Sequence, residues 1–314
     1  MSTLRTLLCS AAFGCVIAFS GAARADGITV KSSALSSEAL TKLETQIQSE
    51  RAANPKAFEA VKKVKGHRPE VYRNYRNPYP TTTRELRGLG KAALFPILEA
   101  LAVKAPERGS LNDAEWDALK IGMLEAVGVI GDARARPVVL ATFEAPGLGE
   151  SVQLAAGRAV GRLAGDAELA LLTKHAVKGD ALLLAAIAGL GEMRRVESAQ
   201  HLASLLSTTK DADVAKAAAE ALGVLGSSWA WRALGPKAEA TGLAVRKVCA
   251  EALVPKLTRS QGQARIAVGD AILMVDHPTT VDLLKSERAT AGKSVQAVDA
   301  VIARVERQRA RMKR

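Results

Sequence analysis

Cysteine is nearly absent from this chain. Of its 314 residues three are cysteines, and two of those, Cys9 and Cys15, lie in an N-terminal segment that reads as removable. Only Cys249 is left for the body of the protein, so no internal disulfide can form and the fold must be held by packing. Long apolar stretches are missing too: the run from Leu7 to Phe19 has 13 residues, short of the ~20 that a spanning helix needs. The chain also contains no phosphate-binding glycine loop, no Cys-x-x-Cys pair and no Gly-x-Ser-x-Gly elbow, so nothing in its motifs announces nucleotide, thiol-redox or serine-hydrolase chemistry.

What the first 25 residues do contain is Arg5, the apolar run, and small residues leading to Ala23-Arg24-Ala25. That order is a secretory signal peptide and predicts a mature start near Asp26. A lipid-tethered start at Cys15 is the alternative, but apolar Val16 to Phe19 stand where a polar tether would be needed. An exported chain without disulfides or any Asn-x-Ser/Thr acceptor suits a bacterial periplasm. The formal charge of +12 is unevenly spread: residues 26–83 carry a net +4, residues 84–303 only +1, and residues 304–314 +5. Basic ends on a neutral body do not make the continuous positive face that tracks phosphates, so nucleic acid is not an expected partner. The basic C-terminal tail could instead meet an anionic envelope surface.

The body repeats itself. Glu125-Ala-Val-Gly-Val-Ile-Gly-Asp132, Arg158-Ala-Val-Gly-Arg-Leu-Ala-Gly-Asp166 and Glu220-Ala-Leu-Gly-Val-Leu-Gly226 are copies, with a weaker one at Ala186-Ile-Ala-Gly-Leu-Gly-Glu192. Aligning Gly131, Gly165, Gly191 and Gly226 gives intervals of 34, 26 and 35 residues, the size of one helical hairpin with its connections. Within a unit, Trp116, Leu119, Met123, Val127 and Ile130 recur at helical spacing, which predicts a helix with one buried stripe. Gly131 is placed to end it in the left-handed conformation and Asp132 to cap the next helix. Pro137 sits in the opening turn of that second helix, which carries Val139 and Phe143. Glu251-Ala-Leu-Val254 reads as the first half of a further unit, and Asp276-His-Pro-Thr-Thr-Val-Asp-Leu-Leu284 as a turn entering a second helix.

This pattern resembles the short HEAT-like repeats, known also from the family that includes phycobilin-lyase repeat proteins, in which an Ala-Leu-Gly-x-Leu-Gly-Asp turn recurs. The resemblance spans about residues 84–285 and concerns architecture rather than activity. The ankyrin signature Thr-Pro-Leu-His is absent, and aromatics at 4% of the chain leave the tetratricopeptide positions empty. The expected fold is therefore all-α, an α-α superhelix with an N-terminal helical cap. Residues 1–25 are the leader, 26–83 the cap with a Tyr/Arg-rich strap, 84–290 the solenoid, and 291–314 a C-terminal helix with its basic tail. Leu40, Leu43 and Ile47 mark one cap helix; Asn54-Pro55 opens a second with Phe58, Val61 and Val64.

The resemblance also implies a test for chemistry. HEAT-like enzymes of the deoxyhypusine hydroxylase type build a di-iron site from repeated His-Glu pairs, whereas the four histidines here are followed by Arg68, Ala176, Leu202 and Pro278. His175 and His201 stand ten residues after Gly165 and Gly191, but two imidazoles make a poor metal site, and no metal or cofactor is expected. Trp229 and Trp231 cannot both face inward on a helix; Trp231 takes the buried place and Trp229 is a candidate contact aromatic, with packing on a loop as its alternative. Tyr72, Tyr75 and Tyr79, interleaved with Arg73 and Arg76, form a strap that could stack on a partner or simply close the solenoid. Cys249 reads as a buried structural thiol. The leading expectation is a non-enzymatic scaffold docking a protein or peptide on a concave face formed by the second helices, through Arg134, Arg136, Arg194, Arg195 and Trp229. The other is a lyase-like or enzyme-accessory protein holding a small molecule in the groove; a partly closed, partly apolar pocket with convergent polar groups would favour it.

Overall fold

The computed structural model describes residues 26–67 and 81–312, and within them the chain is all-helical. A short leading segment reaches helices α1 (Ser37–Ala53) and α2 (Pro55–Lys63), the cap. The repeats then run as α3 (Thr81–Gly88) with α4 (Leu94–Ala102), α5 (Asp113–Ile130) with α6 (Arg136–Glu144), α7 (Glu150–Leu163) with α8 (Asp166–Lys178), and α9 (Leu183–Glu192) with α10 (Val196–Thr208). Beyond them lie α11 (Ala212–Leu225), the short α12 (Ser228–Ala233), the long α13 (Glu239–Arg259), α14 (Gly262–Val275), α15 (Thr280–Thr290) and α16 (Val295–Met312). No described helix is long and apolar enough to cross a membrane.

The hairpins stack into two layers. Helices α3, α5, α7, α9, α11 and α14 pack side by side as one layer, and α4, α6, α8, α10, α13 and α15 cover it as the other. The core is one continuous aliphatic cluster running the length of the stack, with Leu119, Met123, Val127, Val152, Val160, Leu190, Leu222 and Ile272 buried along the first layer. This is the expected helical solenoid, in which each pair covers its apolar side only by leaning on the next.

Glycine does more than the sequence indicates. Gly131 ends α5 at φ 64° as expected, but α7 is ended by Ala164 at φ 53°, and Gly165 sits beyond it in extended backbone. Gly191 lies inside α9, and Gly226 closes α11 without the left-handed conformation. The glycines of the first layer serve instead as crossing points. A Cβ on Gly157 would stand 2.0 Å from the carbonyl oxygen of Ala185, and one on Gly161 2.0 Å from that of Gly189. Gly128 against Ala159 and Gly223 against Ala271 repeat the close approach at neighbouring steps, each with the partner's Cα 3.0 Å from the absent methyl. Backbone therefore touches backbone along this layer.

The register of the last units also differs from expectation. Glu251 to Val254 lie in α13, a helix of the covering layer, and the first-layer place after α11 is taken by α14. At the other end, the segment before α1 docks on the C-terminal end of α4, with the amides of Ile28, Thr29 and Val30 donating to the carbonyls of Ala100 and Leu101 at 2.9–3.2 Å. Those are the carbonyls that a helix end leaves open. Gly27 permits the approach, since a Cβ there would stand 2.1 Å from the Leu101 oxygen.

Crossing glycines should be far less replaceable than turn glycines. Gly161→Ala is expected to lower stability in urea unfolding by about 3 kcal/mol, because a methyl must displace backbone rather than a flexible side chain. Gly109→Ala, at φ 55° in open space, should cost only about 1 kcal/mol.

Candidate functional site

The most enclosed of the larger concavities among the described residues lies where the cap meets the first repeat. It is a cleft of about 470 Å³ between α2, α4 with the connection that follows it, and the middle of α5. Its floor is apolar, made by Phe58, Val61, Pro96, Ala100, Leu119 and Met123, and its rim is ionic, with Arg51, Lys62 and Lys104 facing Glu59, Glu99 and Glu107. The sequence dictates this split. α2 is strongly amphipathic, burying Phe58 and Val61 while Lys62 and Lys63 close its last turn, and the cap covers α4 without filling the angle between α4 and α5. Arg51 joins the two walls: its guanidinium pairs with the Glu99 carboxylate and stands over the Phe58 ring at 4.1 Å. A cavity of this size, apolar below and polar above, has the proportions of a small-molecule site.

Two other concavities are less closed. One is a shallow groove on the covering layer, where α8 meets α10, lined by Leu169, Thr173, Lys174, Val177 and His201. The other, about 320 Å³, lies between the α6–α7 connection and the start of α9. His175 does not join His201. It turns inward, its Nδ1 2.8 Å from an Asp180 oxygen and its ring edge-on to Phe143 at 5.5 Å.

The arginines singled out from the sequence are largely engaged within the chain. Arg134 pairs with Asp132 at 2.7 Å and lies over Phe95, and Arg136 pairs with the fully buried Glu168 of the next hairpin. Arg195 reaches Asp166 at 2.6 Å, and Arg194 stands over the Trp231 ring at 6.0 Å. These side chains bind one repeat to its neighbour. Trp231 is buried and donates Nε1–H to the Leu225 carbonyl at 2.7 Å, which leaves Trp229 pointing outward at 75% exposure. Tyr72, Tyr75 and Tyr79 lie outside the described residues. Cys249 is fully buried, and burial pushes its thiol up to about 12, so it carries almost no thiolate at neutral pH.

An ionic ladder that sequence reasoning missed runs across three first-layer helices. Glu125 of α5, at 5% exposure, accepts from Arg158 Nε at 2.6 Å and Arg162 Nη1 at 2.5 Å, both on α7. Arg162 continues to Glu192 of α9 at 2.8 Å. Burial pushes the Glu125 carboxyl up, yet the charges and hydrogen bonds of Arg162 and Arg158 outweigh it and hold the group below its ordinary value. The Arg162 guanidinium, which burial alone would depress, is raised by Glu125 and Glu192. The signal was legible: Glu125 and Arg158 open equivalent copies of the repeat, so opposite charges at one register face each other across adjacent helices.

No protein-family model matches the chain, and no curated protein matches it. Among solved structures it is similar to human deoxyhypusine hydroxylase in complex with glycerol, at 16% identity and a TM-score of 0.32, over 84% of this chain and 98% of that one. The protein found by this comparison is an enzyme, and nothing in the comparison supports the expectation of a scaffold that catalyses nothing, which is withdrawn.

The ladder makes two linked predictions. Glu125→Gln should lower stability by about 3 kcal/mol at neutral pH, because it leaves buried guanidinium groups without their carboxylate. Since the folded-state pKa of Glu125 is depressed, its contribution is fully present above the unfolded value of about 4.3 and is lost as pH falls through the folded one. The gap between parent and variant in urea midpoints should therefore narrow from pH 7 toward pH 3; a constant gap would show that the ionised carboxylate is not the stabilising species.

Proposed function

We propose that this protein is a lyase-like or enzyme-accessory protein that holds a small molecule against its solenoid, and that the cleft between the cap and the first repeat is the place. One observation carries the reading: among the described concavities this one combines an apolar floor with converging cationic and anionic rim groups under partial enclosure. An amphipathic ligand fits that split, its apolar body on Phe58, Val61 and Met123 and its polar end at the rim. The Arg51–Glu99 pair ties α1 to α4 across the mouth, so the site is held open before any ligand arrives, which reduces the ordering cost of binding. On this reading the cap helices α1 and α2 shape one side of the site, and α4 and α5 of the solenoid supply the other. We further propose that the protein works after export to a bacterial periplasm, on the strength of the leader and the single buried thiol.

The test uses anilinonaphthalene sulfonate, an amphipathic anionic dye whose emission rises on apolar surface. Saturable one-to-one binding to the native chain is expected, abolished by Ala100→Phe, which plugs the floor at some cost in stability, and weakened by Lys104→Glu at the exposed rim, where the thermal midpoint should stay put. Dye binding that survives Ala100→Phe, or no binding at all, would overturn the assignment of the cleft.

Export has its own test. Protein recovered from the envelope fraction of a bacterial host should begin at Asp26 on N-terminal sequencing; an intact Met1 in that fraction would reject cleavage.

A further inference from the structure

Two segments far apart in sequence meet at the C-terminal end of the stack, and the corner they form has a composition unlike the rest of the surface. α12 exposes Trp229 because Trp231, two residues on and about 200° round the helix, takes the inward place. Leu234, which closes α12, is 48% exposed. The last turn of α16 comes up beside them, with the Met312 sulfur 3.5 Å from Nη2 of Arg232. Arg232 lies three positions after Trp229 and so shares its side of the helix.

The cations of this corner divide into two sets. Arg304 pairs with Asp270 at 2.6 Å, and Arg309 reaches Asp276 and the His277 carbonyl at 2.7 Å each. These two pin α16 to α14 and the turn after it. Arg307 and Arg311 stay exposed and reach no carboxylate among the described residues, and Arg232 contacts only the Ser228 carbonyl and the Met312 sulfur. Exposed Glu239 and Glu306 are the nearest acids in sequence to these segments, and they leave the corner positive.

We propose that this corner, where exposed Trp229, Leu234 and Arg232 of one segment meet Met312 of a helix that also exposes Arg307 and Arg311, docks the protein on a bilayer bearing anionic headgroups. Tryptophan settles at the boundary between headgroup and hydrocarbon, where its ring is buried and its N–H stays hydrated. Arginines around it add attraction to acidic lipid and keep contact with water while their stems lie on the apolar zone. Charge complementarity selects this occupant. The exposed apolar side chains stand singly among cations, and a deformable anionic surface can mould round them.

The experiment is co-sedimentation of the chain from Asp26 onward, which holds all the buried core among the described residues, with vesicles of phosphatidylcholine alone and of phosphatidylcholine mixed with phosphatidylglycerol. Binding to the mixed vesicles is expected, weakened by added salt, with a blue shift of tryptophan emission. Replacing Arg307 and Arg311 together by Gln should weaken partitioning roughly thirtyfold, and Trp229→Ser should remove the blue shift while the thermal midpoint stays put. Equal binding to both vesicle types, no binding, or binding untouched by either variant overturns the proposal. So does retention that requires an added protein component.

Discussion

The structure depends on one constraint, the contact of backbone with backbone along the first layer. Gly157 and Gly161 leave no room for even a methyl group before the carbonyls of Ala185 and Gly189. That approach brings neighbouring hairpins close enough for alanine and valine to fill the space between them. It explains why a chain so poor in aromatics can still bury a continuous core: small spacing needs small side chains. It also sets the distance at which an arginine on α7 spans to carboxylates on both α5 and α9, so the Glu125–Arg158–Arg162–Glu192 ladder arises from the same geometry.

A solenoid built this way has two open ends, and the protein treats them differently. At the start, the extended lead from Ile28 to Val30 closes the C-terminal carbonyls of α4, and the cap helices cover the side of the first repeat. Coverage is incomplete for a reason of shape: two short helices laid across an angle between two others leave a cleft, and that cleft is the proposed ligand site. At the finish, α16 is locked by Arg304, Gln308 and Arg309 onto α14 and the turn after it. Arg307 and Arg311 stay exposed on the same helix.

Each arginine in the middle of the stack faces a choice between structure and recognition, and the geometry decides for structure. Arg136 and Arg195 bridge to acids of a neighbouring hairpin, so removing them would loosen the stack. A surface whose charges are already satisfied offers little to a docking protein. Among the described residues these turn cations are engaged within the chain, where they hold hairpin to hairpin.

The linear chain determined the all-helical class, the hairpin period and the stripes that become the core. These arise from local propensity and periodicity, which act over a few residues and are written in order along the sequence. The inward place of Trp231 and the inert thiol of Cys249 were legible for the same reason, since each is set by its own helix face. Tertiary structure alone decided which glycines turn the chain and which let helices touch, and that α13 rather than α14 joins the covering layer after α10. It also decided that residues 51 to 64 and 96 to 123 line one cleft, and that Arg232 of α12 meets the last turn of α16. These are distances between segments remote in sequence, fixed by how closely backbones can approach, and no local pattern records that separation.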